Sequence, residues 1–455
     1  MQDIKISIVG LGACESAQLS DSAMSILLGA EMVLGSKRQL KVVEHLSKEH
    51  QIKPLLPKLD VLKTVLEQYY NQGVRKIVVL ASGDPLYYGI GSWFGRNFSA
   101  EKLAFYPAVS SIQEACHRLG LSLQNVTVLS LHGRPVGKLR SKLREHQTLV
   151  ILTDAQSTPK ILANELVEAG YYEAKITVCE AIGYRYEEIE TFPVKALLRN
   201  PKEFDPLHIS VIETGESVKP LPLFPGFANH HFITDGDQGK NMITKVEVRL
   251  CILSLLQPQA GDVIYDIGAG CGSVGIELGY WCEEAKVFAI EKNPQRFECL
   301  QQNQKKFGLV TNLHPIQGSA PGILAKLPKP NKIFIGGSDG MLPQLLERLW
   351  TQLDVGGQIV ASAVLENTKH HLVDFLNTRN IRGDAKVSTQ QVAVSHGDYL
   401  AGQLVYRQAL PVSVFSFIKK SEVPVINLNN QRIQQNSSDT TASDENDLQP
   451  QDRDY

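Results

Sequence analysis

The chain has 455 residues, 43% of them hydrophobic and 21% charged, with a formal net charge of −2. That length suits two domains with large apolar cores, and near-neutrality gives no sign of a protein built around a nucleic acid or a membrane surface. No apolar run reaches the length of a membrane span and Met1-Gln-Asp-Ile-Lys5 lacks a signal-peptide profile, so a cytoplasmic protein is expected. The seven cysteines are scattered and in no Cys-x-x-Cys spacing. Reduced packing thiols are therefore expected, with no metal and no disulfide framework.

Ile4 to Gly10 reads as a first strand that empties into Gly10-Leu-Gly12. A helix with small and apolar periodicity follows from Ser20 to Gly29, capped by Ser20 or Asp21. After a short strand (Glu31 to Gly35) and a turn (Ser36-Lys-Arg38), a helix runs from Asp60 to Gln72 and stops at Gly73. Lys76 to Ala81 is an apolar parallel strand leading into Ser82-Gly-Asp-Pro-Leu-Tyr-Tyr-Gly89. There Gly83-Asp84-Pro85 sets an acid in a turn at a strand's carboxyl end, where ligands of open α/β sheets bind. Further strands are expected at Leu103–Tyr106, Val126–Ser130, Thr148–Thr153 and Lys175–Glu180, and helices at Ser110–Arg118, Arg140–Glu145 and Thr158–Ala169. The alternation makes this half an α/β domain.

Pro-rich sequence between 201 and 225 cannot hold a regular helix and reads as a linker. The expected boundaries are a first domain over 1–205, a linker over 206–228, a second domain over 229–410, and a tail over 411–455. Asn, Gln, Ser and acids dominate that tail, a composition that does not bury a core.

The second domain is organised around Val263 to Glu277. An apolar, β-branched run breaks into Gly268, Gly270 and Gly272, and an apolar-periodic helix begins at Ser273. The glycines let a ligand approach backbone without Cβ atoms in the way, and the helix start offers unpaired N–H groups. The next strand, Lys286 to Glu291, ends in a carboxylate 19 residues beyond Gly272, the spacing at which an acid meets a ribose. This is a nucleoside-binding βαβ unit. Gly270, Gly272 and Gly275 also satisfy the dinucleotide fingerprint, so NAD is a rival ligand. Asp266 at the strand tip favours S-adenosylmethionine, because an acid suits its charged amino-acid end and opposes a pyrophosphate. A glycine turn with no ligand is the remaining reading.

The second domain resembles the precorrin C15-methyltransferase (decarboxylating) family of cobalamin biosynthesis. The resemblance rests on Met242-Ile-Thr-Lys-Val-Glu-Val-Arg249, Asp266-Ile-Gly-Ala-Gly-Cys-Gly272, Ile290-Glu-Lys-Asn-Pro294, Gly318-Ser-Ala-Pro321, Ile335-Gly-Gly-Ser-Asp-Gly340 and Ala363-Val-Leu-Glu-Asn367. The first domain resembles the tetrapyrrole methylase family, in its C5-methylating precorrin branch. The matching pieces there are Gly35-Ser-Lys-Arg-Gln-Leu40, Ala81 to Gly91, Pro107-Ala-Val-Ser-Ser-Ile-Gln-Glu-Ala115 and Ser130-Leu-His-Gly-Arg134. In this order the two resemble the bifunctional precorrin-6Y C5,15-methyltransferase family.

The resemblance implies an N-terminal tetrapyrrole-methylase-type α/β domain and a C-terminal Rossmann-like class I methyltransferase domain. It implies two S-adenosyl-L-methionine sites, one per domain. Thr244, Gly268, Ala269, Gly270, Cys271, Gly272, Glu291, Ser319 and Ala320 would form the second-domain site, with Asp266 orienting the loop or facing the donor's amino group. Gly83, Asp84 and Pro85, with Ser110 and Ser111, would form the first. Thr244 has an alternative part as a helix N-cap, since Thr244-Lys-Val-Glu247 has capping-box spacing. Lys245, Arg249 and Arg134 are candidates for substrate carboxylates, and Gly336-Gly337 for a floor under a flat macrocycle. For Arg134, Lys138, Arg140, Lys142 and Arg144 the bland reading is a solvated basic face. The implied chemistry is methylation of a reduced precorrin-6 macrocycle, metal-free or cobalt-loaded, at C5 and C15, with loss of the C12 acetate carboxyl. Self-association is implied; a nucleic-acid partner is not, and no residue is singled out as a general acid or base. The rivals are a donor-dependent RNA or protein methyltransferase, a donor-sensing regulator and an NAD-linked oxidoreductase.

Overall fold

The computed structural model describes residues 3–236 and 243–421; Met242, at the head of one motif above, and positions 422–455 of the expected tail lie outside them. β1 (Lys5–Gly10), β2 (Met32–Leu34), β3 (Lys76–Ala81) and β4 (Leu103–Tyr106) form a parallel sheet in the order β2-β3-β1-β4. β1 and β3 are buried at every residue but the first, the continuous apolar run of strands covered on both faces. The helix Ser111–Leu119 leads to a second lobe. Ser110 caps it by accepting from the Gln113 N–H at 3.3 Å, and the Gln113 side chain accepts from the Ser110 N–H at 2.9 Å.

That lobe holds β5 (Thr127–Ser130), β6 (Thr148–Leu152), β7 (Lys175–Glu180), β8 (Glu188–Pro193) and β9 (His208–Glu213), ordered β5-β6-β9-β7-β8. β9 corrects the domain boundary expected at 205. It is the middle strand of the sheet, antiparallel to both β6 and β7. Pro206 and Pro220 flank it without entering it, and a strand tolerates proline at its ends but not between paired neighbours. The connecting segment therefore begins after Glu213.

In the second domain, β10 (Val263–Ile267), β11 (Lys286–Glu291), β12 (Leu313–Gln317), β13 (Lys332–Ile335) and β14 (Gln358–Ala363) are parallel, ordered β12-β11-β10-β13-β14. β15 (Ala385–Val392) ends the sheet, and a separate hairpin pairs β16 (Ser395–Leu400) with β17 (Gln403–Gln408). β18 (Val412–Lys419) lies between β14 and β15, antiparallel to both. This corrects the boundary expected at 410: Val414 to Phe417 are buried in the sheet's interior. Alternate residues feed two cores, Ile264 and Val414 on one face, Tyr265, Ile267, Phe415 and Phe417 on the other. A sheet covered on both faces is what its apolar strands demand.

The basic run after Arg134 is not a solvated face. Lys138 (3.7 Å) and Lys142 both pair with Glu283 of the second domain, and the Arg144 guanidinium lies 5.5 Å from the centre of the Tyr280 ring. Arg140 pairs with Glu165 and Glu168 inside its own domain. Packing of the two halves, which local sequence does not reveal, claims these cations. All seven cysteines are free. Among the described residues, no helix is long and apolar enough to cross a membrane.

Candidate active site

Strand order reverses between β10 and β13, and ligands of open α/β sheets bind at such a switch point. A cavity of about 610 Å³ opens there, lined by Thr244, Lys245, Gly268 to Cys271, Glu291, Ser319, Ala320, Gly336 and Gly337. Residues named from five separated stretches of sequence thus meet at the carboxyl ends of the strands. Gly268 has φ +72°, and a Cβ on it would lie 2.6 Å from the Gly337 nitrogen. Only glycine fits that approach.

Glu291 is 6% exposed; its Oε2 accepts from the Gly270 N–H at 2.8 Å and its Oε1 from the Asn293 N–H at 2.7 Å. The carboxylate thereby fixes the glycine loop. Each of its oxygens has a second lone pair, so a vicinal diol in the cavity can still donate to it.

Asp266 and Gly272 lie behind this wall. Asp266 Oδ2 accepts from the Gly275 N–H at 2.8 Å, which places a carboxyl against the first turn of the helix Ser273–Trp281. Oδ1 is buried without a partner. Burial pushes the carboxyl up to about 7; the Gly275 N–H draws it back, and the nearby charge of Glu291 adds to the rise.

Two expectations are corrected here. Arg249 has no exposed surface and meets no substrate: its Nε donates to Glu277 Oε1 at 2.5 Å and its Nη1 to the Thr244 carbonyl at 2.6 Å. A guanidinium facing a buried carboxylate stays with it, since separating the two would leave an unpaired charge. The signal was in the sequence. Glu277 sits in a helix buried from Ser273 to Tyr280, and a buried acid needs a cation. Thr244 is also no cap, because the helix Val246–Leu256 starts one residue later, from Lys245, with no side-chain cap. Thr244 faces the cavity instead.

Sequence reasoning missed Lys292 and Asp339, which form an ion pair at the exposed edge of the same cavity. Both stand inside quoted motifs. Asp339 has φ +53°, a conformation that costs a non-glycine residue.

In the first domain two cavities adjoin. One of about 260 Å³ is lined by Gly83, Asp84, Ser110 and Ser111; the other, about 500 Å³, by Gly12, Arg38, Ser111, His132 and Arg134. Ser82, Tyr88, Gly89 and Ser111 border both. Asp84 Oδ1 accepts from the Leu86 N–H at 2.8 Å, an Asx turn that holds the loop. Pro85 is buried, its carbonyl accepting from the Gly91 N–H at 2.8 Å, and it faces neither cavity. Its expected place in the site is corrected to a support behind it, because proline offers only that carbonyl and the loop uses it.

Residues 5–198 match the family of tetrapyrrole (corrin/porphyrin) methylases, and residues 232–419 match the precorrin methyltransferase domain. A precorrin-6Y C(5,15)-methyltransferase (decarboxylating) of Sinorhizobium sp is 32% identical over 91% of this chain and 96% of its own. A probable cobalt-precorrin-6B C(15)-methyltransferase (decarboxylating) of Pyrobaculum aerophilum is 32% identical over 42% of this chain and 95% of its own. A cobalt-precorrin-7 C(5)-methyltransferase of Salmonella typhimurium is 29% identical over 42% of this chain and 92% of its own. Related in both halves and along nearly its whole length, the chain belongs to the precorrin-6Y C5,15-methyltransferase (decarboxylating) family.

Proposed function

We propose that the chain carries two S-adenosyl-L-methionine sites and methylates a reduced precorrin-6 or cobalt-precorrin macrocycle at C5 and C15, with decarboxylation of the C12 acetate. One observation carries the reading: each domain has its own loop-bordered cavity at the carboxyl ends of parallel strands. Relatives named for a C15 reaction and for a C5 reaction, each matched by 42% of this chain, support two separable activities.

The second-domain residues fit the donor. Glu291 offers acceptors to a ribose diol, the Gly268 to Cys271 backbone takes a ligand at close range, and the unpartnered Oδ1 of Asp266 lies beneath the loop. Gly83, Asp84, Ser110 and Ser111 hold the corresponding place in the first domain. When bound, the donor supplies a methyl group on a sulfonium, a leaving group that needs no acid. The nucleophile is an electron-rich meso carbon of the macrocycle, so the chain contributes alignment and no nucleophile of its own. Around the second site Ile243, Val248 and Val412 form an apolar wall. A desolvated acetate there loses carbon dioxide more readily, its bonding pair passing into the conjugated macrocycle.

Mass spectrometry of the macrocycle, metal-free and cobalt-loaded, after incubation with the full chain and donor tests this. Two methyls gained and one carbon dioxide lost is expected. No mass change on either substrate, despite donor binding, would overturn the assignment in favour of an RNA or protein methyltransferase.

A further inference from the structure

Arg38 stands in the turn Ser36-Lys-Arg38, to which sequence reading gave no chemistry. In the fold it lies on the short helix Lys37–Val42 and lines the larger first-domain cavity together with Arg134. Its Nη2 donates to the Ser82 hydroxyl at 3.0 Å, and its Nη1 crosses the cleft to the Tyr184 hydroxyl at 3.2 Å. Arg134 Nη1 donates to the Ser130 carbonyl at 3.3 Å. All of these partners are neutral. Elsewhere in this domain, Arg75, Arg118 and Arg140 each hold a carboxylate. A guanidinium has about five N–H donors in a fork shaped for carboxylates, so Arg38 and Arg134 retain donors facing about 500 Å³ of space.

The loop after β3 supplies a second observation. Tyr88 borders both first-domain cavities at φ +54° and donates from its hydroxyl to the Val128 carbonyl at 3.2 Å. An exposed tyrosine held in a costly backbone conformation sets an aromatic edge between the smaller cavity and the two arginines. A flat ligand with ionised arms fits that combination.

Resting on the C5 reading above, we propose that Arg38 and Arg134 form a carboxylate-reading subsite that takes the acetate or propionate arms of the macrocycle and sets its orientation for methylation at C5. The donor's own α-carboxylate is the other source of that chemistry, and the experiment separates the two.

Arg38→Gln and Arg134→Gln are made in the full chain, and C5 methylation of the C15-methylated, decarboxylated macrocycle is followed at steady state. KM for the macrocycle is expected to rise about 10- to 100-fold for each variant, the usual effect of losing a charged hydrogen bond. kcat and S-adenosylhomocysteine affinity are expected to stay within about threefold. With the macrocycle's carboxylates converted to methyl esters, wild type and variants should have the same KM. Tyr184→Phe removes the bond across the cleft while keeping the charge, and should leave KM nearly unchanged. An unchanged KM in Arg38→Gln, weakened donor affinity in place of macrocycle affinity, or an equal loss in Tyr184→Phe would each overturn the subsite. If the wild-type chain itself adds no methyl at C5, the C5 reading fails first and takes the subsite with it.

Discussion

Arg249 and Glu277 form an ion pair with no exposed side-chain surface, Nε 2.5 Å from Oε1. The surrounding backbone closes on it. Glu277 also accepts from the Gly226 and Phe227 N–H groups at 2.7 and 3.0 Å, and Arg249 holds the Thr244 carbonyl. The pair therefore fastens the entry to the second domain to Thr244, which lines the second-domain cavity. Arg249→Met should destabilise that domain by about 3–5 kcal/mol, because an unpaired buried carboxylate remains. For a domain of this size the loss corresponds to a melting temperature lower by about 10 °C. Pairing the change with Glu277→Leu should recover part of it. Calorimetry of the three chains checks both statements.

Glu291→Ala removes the acceptor for a ribose diol and the anchor of the Gly270 N–H together. Affinity for S-adenosylhomocysteine at one of two sites should fall about 10- to 100-fold, the range expected for charged hydrogen bonds. Titration calorimetry should then show one tight and one weak site per chain. C5 methylation of a macrocycle already methylated at C15 should continue. Equal weakening of both sites would contradict the assignment of Glu291 to the second domain's donor.

Asp266 gives a pH dependence with a definite sign. Its folded value of about 7 lies above its ordinary value of 3.8. Between these limits the folded state keeps a proton that the unfolded chain has released. This group's contribution to stability therefore falls as pH rises from about 4 to about 7, and is level outside that window. Relative to wild type, Asp266→Asn should gain melting temperature across the window. Donor binding in the second domain should tighten in wild type as the carboxylate ionises and stay flat in the variant. Thermal scans and donor titrations between pH 5 and 8 measure both.

Glu283 is the carboxylate shared by Lys138 and Lys142 at the junction of the domains. Glu283→Lys puts a third cation against two. Each of these half-buried surface pairs contributes on the order of 1 kcal/mol, so both domains should stay folded. Their heat-absorption peaks should separate while C5 and C15 activities persist. A single unchanged transition would mean that the junction rests on packing alone.

The glycine loop was legible in the sequence because strand, glycine turn, helix and terminal acid are one local pattern, and Asp266 to Gly272 with Glu291 display it within a single βαβ unit. Arg249, Lys138 and Lys142 misled because a cation's partner is chosen by tertiary packing, and Glu277 and Glu283 are remote in sequence. β9 and β18 have ordinary apolar strand sequences, but prolines beside one and a polar tail beyond the other drew attention to composition. Arg38 was hidden for a third reason. Its partners Ser82 and Tyr184 come from separate lobes that only the fold brings together.

The placement of β18 also bears on how the chain is made. Synthesis runs from the amino end, so the first domain, whose last strand ends at Glu213, has every strand it needs while the second is still being assembled. The second domain has no such early completion. Its sheet ends at β14 until Val412–Lys419 leaves the ribosome, and β15, which pairs with β18, has no strand to join before then. Until then the edge of β14 and the unpaired β15 segment are exposed, the kind of surface that recruits a wrong neighbour. A ribosome that stalls or terminates shortly before Val412 would therefore release a chain with one finished domain and one unclosed sheet, a natural substrate for chaperones and proteases.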